Sequence, residues 1–166
     1  MDATSMELML DAMIRSAQLV EQELEDNHLI PFGNFTNTLK QIDEGHQNSY
    51  PCGAGGSYVS VSAKGEYYAC HRFVEDERGK LGGISKGLDP ELKSNWIKDR
   101  HLRHQAPCQT CWARNMCGGS CHYEVINVGR PACDYIRGWI YYCLSVYVRL
   151  SKTNPNGLRA LVKGSF

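Results

Sequence analysis

The sequence predicts an α+β chain, small and loop-rich at its centre, in which a β-hairpin and clustered cysteines sit between flanking helices. Three observations carry this expectation. Apolar residues recur at helical spacing near both ends of the chain. Strand-forming residues alternate over 57–70 around a short turn. Eight cysteines all fall after residue 51, four of them within the fourteen positions from Cys108 to Cys121.

The first helix is expected over 4–26. Thr4 and Glu7 form a capping-box pair, and Met6, Met9, Leu10, Met13, Ala17, Val20 and Leu24 line one face. No partner for this stripe is evident within the chain, and an apolar face of that size is a contact surface or a liability. A turn around Pro31 and Gly33 and a short helix follow, then a loop over 43–51. Tyr58, Val59, Val61, Tyr67 and Tyr68 give the hairpin its strand character, with Ala63-Lys64-Gly65 as its turn. The hairpin returns Cys70 toward Cys52. "KLGGI" reads as another short strand, and 88–99 as a helix with Asp89 at its N-cap and Pro90 at N1. A last helix is expected over 134–151, with Ile136, Trp139, Ile140, Cys143, Val146, Tyr147 and Leu150 on one face. "KTNPNG" ends it, and 151–166 is expected to be a tail.

Composition bounds the function classes. The 166 residues carry 18 Lys+Arg against 18 Asp+Glu, so there is no basic footprint for nucleic acid and no polybasic membrane anchor. No apolar run approaches the roughly 20 residues of a membrane span. The first residues interleave acids with apolar positions and lack a basic n-region, which does not suit a secretory signal. A cytoplasmic location is expected, where thiols stay reduced. No Ser/His/Asp pattern, phosphate-cradling loop or paired carboxylate motif is present.

The cysteines therefore need a use other than disulfides. Structural zinc sites usually pair two closely spaced knuckles separated by a dozen or more residues. Cys108-x2-Cys111 fits one knuckle, but Cys117 and Cys121 follow too soon for a second, although two zinc ions could share eight thiols. Iron–sulfur clusters suit longer, less regular gaps. Glycines beside the ligands, such as Gly53, Gly118 and Gly119, would let backbone N–H groups approach sulfide. Spacing favours iron–sulfur over zinc and leaves zinc open.

The pattern Cys52-x12-Gly65-x4-Cys70, Cys108-x2-Cys111-x5-Cys117-x3-Cys121, then Cys133 resembles the seven-cysteine signature of SPASM domains, over about residues 46–150. These are C-terminal extensions of radical S-adenosylmethionine enzymes that modify peptides and proteins. The resemblance implies two auxiliary [4Fe–4S] clusters. Cys52, Cys70 and Cys121 would bind the first, and Cys108, Cys111, Cys117 and Cys133 the second. Some relatives have a further cysteine six residues after the first; here that position is Tyr58. Cys143 is left over, and either packs as a small hydrophobe or ligates. "CHRFV" and "GRPACDYIRGWIYYC" are similar to the members that form thioether links during maturation of quinohemoprotein amine dehydrogenase.

A radical enzyme of this kind also needs Cys-x3-Cys-x2-Cys. The only Cys-x3-Cys is Cys117 to Cys121, with Glu124 three positions on. The 51 residues before Cys52 are too few for a barrel. S-adenosylmethionine would bind only through such a barrel, supplied in cis or in trans. On this reading residues 1–45 are the end of the barrel or a linker from it, catalysis is not expected of this chain alone, and the partners are a peptide or protein substrate and a reductant such as a flavodoxin or ferredoxin.

Overall fold

The computed structural model describes residues 3–26 and 28–163. The chain forms two compact units, residues 48–130 and residues 1–47 with 131–166. Helices and a small antiparallel sheet make it a mixed α+β structure.

The helical unit comprises α1 (Ala3–Glu25), α2 (Gly33–Asp43), α6 (Cys133–Thr153) and α7 (Pro155–Lys163). Its core draws Ala17, Val20 and Leu24 from α1, Phe35 and Leu39 from α2, and Trp139, Cys143, Val146 and Leu150 from α6. This corrects the expectation that the methionine stripe has no partner in the chain. The face that begins at Met6 packs on α6, and Leu10 and Met13 lie against the same core. Sequence periodicity shows that a face is apolar without showing what covers it. The tail expected from 151 is also corrected. Leu158, Leu161 and Val162 on α7 are buried at i, i+3, i+4 spacing. Asn154 starts this helix: its carbonyl accepts from Leu158 N–H (3.0 Å) and its side chain from Gly157 N–H (2.9 Å). Pro155 supplies a preset φ at the first helical position. The break in "KTNPNG" is thus a junction between two helices.

The second unit carries the sheet β1 (Ser60–Val61), β2 (Glu66–Tyr68), β3 (Lys80–Gly83) and β4 (Gly87–Leu88), an antiparallel meander in chain order. The hairpin closes where expected, with Gly65 N–H donating to Ser62 O and Ser62 N–H to Glu66 O, both at 2.9 Å. Helix α3 (Pro90–Arg100) starts as the sequence implies: the Asp89 carboxylate accepts from the N–H groups of Glu91 (2.9 Å) and Leu92 (3.0 Å). Trp96 of α3 packs with Ala54, Tyr68, Ala69, Cys70, Phe73 and Leu81. Its ring meets Phe73 edge-on at 5.1 Å, and its Nε1 donates to Ala54 O at 2.9 Å. Two short helices, α4 (Arg114–Cys117) and α5 (His122–Asn127), complete the unit. Among the described residues no helix is long and apolar enough to cross a membrane.

Candidate metal centre

Six of the eight cysteines lie in the sheet-bearing unit, and none of the eight is in a disulfide. Cys52 is exposed and enters a tight turn in which Gly53 O accepts from Gly56, Ser57 and Tyr58 N–H (3.0, 2.8 and 3.3 Å). The N–H of Gly55 then donates to both Tyr58 O (3.0 Å) and Ala69 O (2.9 Å). That shared bond ties the Cys52 turn to the residue before Cys70. Gly55 has φ +72°, and a Cβ there would stand 2.5 Å from the Trp96 ring, so the turn reaches the core only with glycine at this position. Cys70 is buried and begins a 3-10 turn, its carbonyl accepting from Phe73 N–H at 3.0 Å.

Cys121 arrives from the other direction. Residues 115–118 are held against 48–51: Asn48 donates through its backbone to Asn115 O (2.6 Å) and through its side chain to Met116 O (3.2 Å). Gly118 takes φ +69°, and a Cβ on it would lie 2.5 Å from the backbone carbonyl of Tyr50. The chain therefore passes the backbone of Tyr50 and Pro51, just before Cys52, too closely for a side chain at this position. Cys121 is half-buried and precedes α5. Its sulfur accepts from Arg72 Nη1 at 3.3 Å, and the same nitrogen donates to Glu124 Oε1 at 3.3 Å. The guanidinium also covers the Tyr123 ring at 4.4 Å.

Tyr58 closes the turn that begins at Cys52, its N–H donating to Gly53 O. Burial, and then the neighbouring thiols, hold the phenol above its ordinary range. From the sequence, Arg72, Arg114 and Arg130 could either offset the negative charge of clusters and thiolates or solvate loops; among them the structure puts Arg72 on a cysteine sulfur.

Cys108, Cys111 and Cys117 sit on consecutive turns. Cys111 N–H donates to Cys108 O (3.1 Å), Arg114 N–H to Cys111 O (3.3 Å) and Cys117 N–H to Ala113 O (2.9 Å). Cys133 is the first residue of α6 in the helical unit and is half-buried. Cys143 is fully buried in that unit's core, and burial, then Glu21, push its thiol up to about 12.

His122 follows Cys121 and is 2% exposed, its ring edge-on to Trp96 at 5.8 Å. Neither ring nitrogen has a protein hydrogen-bond partner. Burial, reinforced by Arg100, depresses its pKa to about 4, so the ring is neutral at pH 7. A buried polar group left unmatched costs about 1–3 kcal/mol, which an acceptor brought against the ring would recover. His71, beside Cys70, is exposed.

The donor set suits a soft, anionic, sulfur-bridged group: thiols, a cationic guanidinium on one of them, and an unmatched N–H next in the chain. Among the described residues no three His, Cys, Asp or Glu side chains form a group that could hold a single metal ion. Comparison with protein-family models and with curated proteins finds no match to this chain.

Proposed function

We propose that this chain is a SPASM-like module that binds two [4Fe–4S] clusters and serves electron transfer and substrate positioning in the radical-dependent modification of a peptide or protein. The observation that carries the reading is the pair of contacts that link Cys52, Cys70 and Cys121: the Gly55 N–H bonded to Tyr58 O and Ala69 O, which ties the Cys52 turn to Cys70, and Arg72, two residues after Cys70, on the Cys121 sulfur. Cys52, Cys70 and Cys121 hold the first cluster, and Cys108, Cys111, Cys117 and Cys133 the second. When bound, each cluster supplies a one-electron acceptor or donor site. The residues of this chain set where that electron rests: Arg72 places positive charge on one thiolate, and burial of Cys70 and Cys108 lowers the local dielectric.

The radical itself comes from an S-adenosylmethionine-binding barrel acting in cis or in trans, since no Cys-x3-Cys-x2-Cys exists here. The finer proposal is a cytoplasmic peptide maturase that forms thioether links, with a flavodoxin or ferredoxin as reductant.

Anaerobic purification with iron, zinc and acid-labile sulfide analysis tests this reading. About eight irons and matching sulfide per chain are expected for two cubane clusters. About two zincs without sulfide would replace it with a zinc-stabilised interaction module. Replacing Cys117 by serine removes about half of the iron if the ligand partition is right; loss of all of it refutes the partition.

A further inference from the structure

We propose that the cavity bounded by β3, α3 and α5 in the sheet-bearing unit binds a small zwitterion with an apolar body, the chemistry of a free apolar amino acid. Its volume is about 340 Å³, which is in the range of small-molecule sites. The inference stands apart from the cluster reading and needs neither a metal nor a radical partner.

Three elements supply an apolar lining. Leu81 of β3 and Trp96 of α3 are buried, and Ile126 of α5 is half-buried. The lining is already held in place. The Trp96 Nε1 donates to Ala54 O at 2.9 Å, and the ring meets Phe73 edge-on at 5.1 Å. A ligand therefore has little side-chain order to impose on the largest surface it would touch.

The charged residues around this lining divide into two kinds. Arg78 is held by the Asp76 carboxylate (2.9 and 2.6 Å) and by Asn127 (2.6 Å). Lys80 is held by Glu66 (2.6 Å) and Glu77 (3.5 Å). Asp99 and Arg100, by contrast, make no side-chain hydrogen bond or ion pair with any described residue. Asp99 is exposed and Arg100 half-buried, its guanidinium 5.8 Å from the centre of the Trp96 ring. A guanidinium drawn partly out of water without an acceptor gains most from a carboxylate, which matches its fork.

The end of α3 thus presents one unspent cation and one unspent anion, consecutive in the chain, beside an apolar cavity. A zwitterion satisfies both: its carboxylate meets Arg100, its ammonium meets Asp99, and its side chain lies on Leu81, Trp96 and Ile126. A dicarboxylate would set a second negative charge near Asp99. A hydrocarbon would leave both charged groups as they are. The charge pattern selects the zwitterion.

Isothermal titration calorimetry of the full chain, purified anaerobically, tests this with L-phenylalanine as the probe. Saturable binding is expected. L-phenylalaninamide lacks the carboxylate and N-acetyl-L-phenylalanine lacks the ammonium. Each is expected to bind at least ~10-fold more weakly, because a hydrogen bond between charged groups is lost. In Arg100→Gln the penalty for the amide disappears while that for acetylation remains, and in Asp99→Asn the reverse holds. A general loss of folding would not produce that crossed pattern, and the comparison of the three compounds on wild type needs no variant. Absence of L-phenylalanine binding up to on the order of 10 mM overturns the proposal. So does equal binding of the three compounds, or discrimination that survives in both variants. An N-acetyl compound that binds as well as the free amino acid, with the amide still weak, overturns the zwitterion in favour of a peptide's C-terminal residue.

Discussion

The guanidinium of Arg72 donates to the sulfur of Cys121 at 3.3 Å while holding Glu124 at the same distance, so one cation is shared between a thiol and a carboxylate. Arg72 follows the buried Cys70 by two residues, and the contact ties the hairpin side of the site to α5. A donor on a ligating thiolate stabilises the more negative, reduced state of a cluster.

If the proposed cluster is present, replacing Arg72 by glutamine is expected to lower its midpoint potential by on the order of tens of millivolts, because hydrogen bonding and net charge set such potentials. Lysine at the same position keeps the charge but loses the fork that reaches Cys121 and Glu124 together, and should fall between. Redox titration followed by EPR reads both variants. Identical potentials in wild type and Arg72→Gln would show that the contact has no electrostatic role.

Gly118 offers a test of how the cysteines are held. Its φ of +69° is strained for any residue with a Cβ, and a methyl there would lie 2.5 Å from the Tyr50 carbonyl carbon and oxygen. Backbone strain adds to overpacking, so Gly118→Ala is expected to cost at least ~2 kcal/mol. The damage falls on the segment that runs from Cys117 to Cys121, so iron retention on the first set should drop along with the urea midpoint. An unchanged midpoint would mean that residues 115–118 are not pinned to Tyr50.

Regular elements were legible in the sequence wherever local chemistry fixes them. The Asp89–Pro90 start of α3 and the periodic faces of α1 and α6 are of this kind. Strand β4, only Gly87–Leu88, has no alternation to reveal it and exists because it pairs with Gly82 and Gly83. Helix α7 hid behind a proline that reads as a stop but follows an asparagine able to cap a new start. At the site, cysteine spacing named the candidate thiols. The surroundings of Arg72 and His122 depend on contacts between distant parts of the chain, such as Arg72 to Cys121 and the Trp96 ring on His122, and no local pattern encodes these.

Cys143 separates packing from ligation. It is fully buried beside Trp139, Val146 and Leu150 in the core of the helical unit, with its thiol pushed up to about 12. A thiol so protonated is a poor nucleophile and a poor ligand. Cys143→Ala is expected to destabilise the chain by ~1 kcal/mol through a small cavity and to leave the iron content of the reconstituted protein unchanged. Alkylation of the metal-free native chain at pH 8 should spare this cysteine and modify Cys52, which is exposed. Loss of iron in the alanine variant would make Cys143 a ligand.

His122 links the site to acid stability, and the sign can be worked out. Its folded pKa is about 4, depressed from 6.5 by burial and by Arg100. Between those values the unfolded chain binds a proton that the folded chain refuses, so acid favours unfolding. Stability contributed by the neutral ring is complete above pH 6.5 and is lost as pH falls toward 4. At about 1.36 kcal/mol for each pH step between the folded and unfolded values, the loss approaches ~3 kcal/mol. Urea unfolding of the metal-free chain from pH 7.5 to 4 measures it. His122→Asn has no proton to gain, and the remaining carboxylates act alike in both proteins. The difference between the two curves should therefore open as pH drops below 6.5, with wild type losing more. Parallel curves would mean that the ring is already solvated or protonated in the native state.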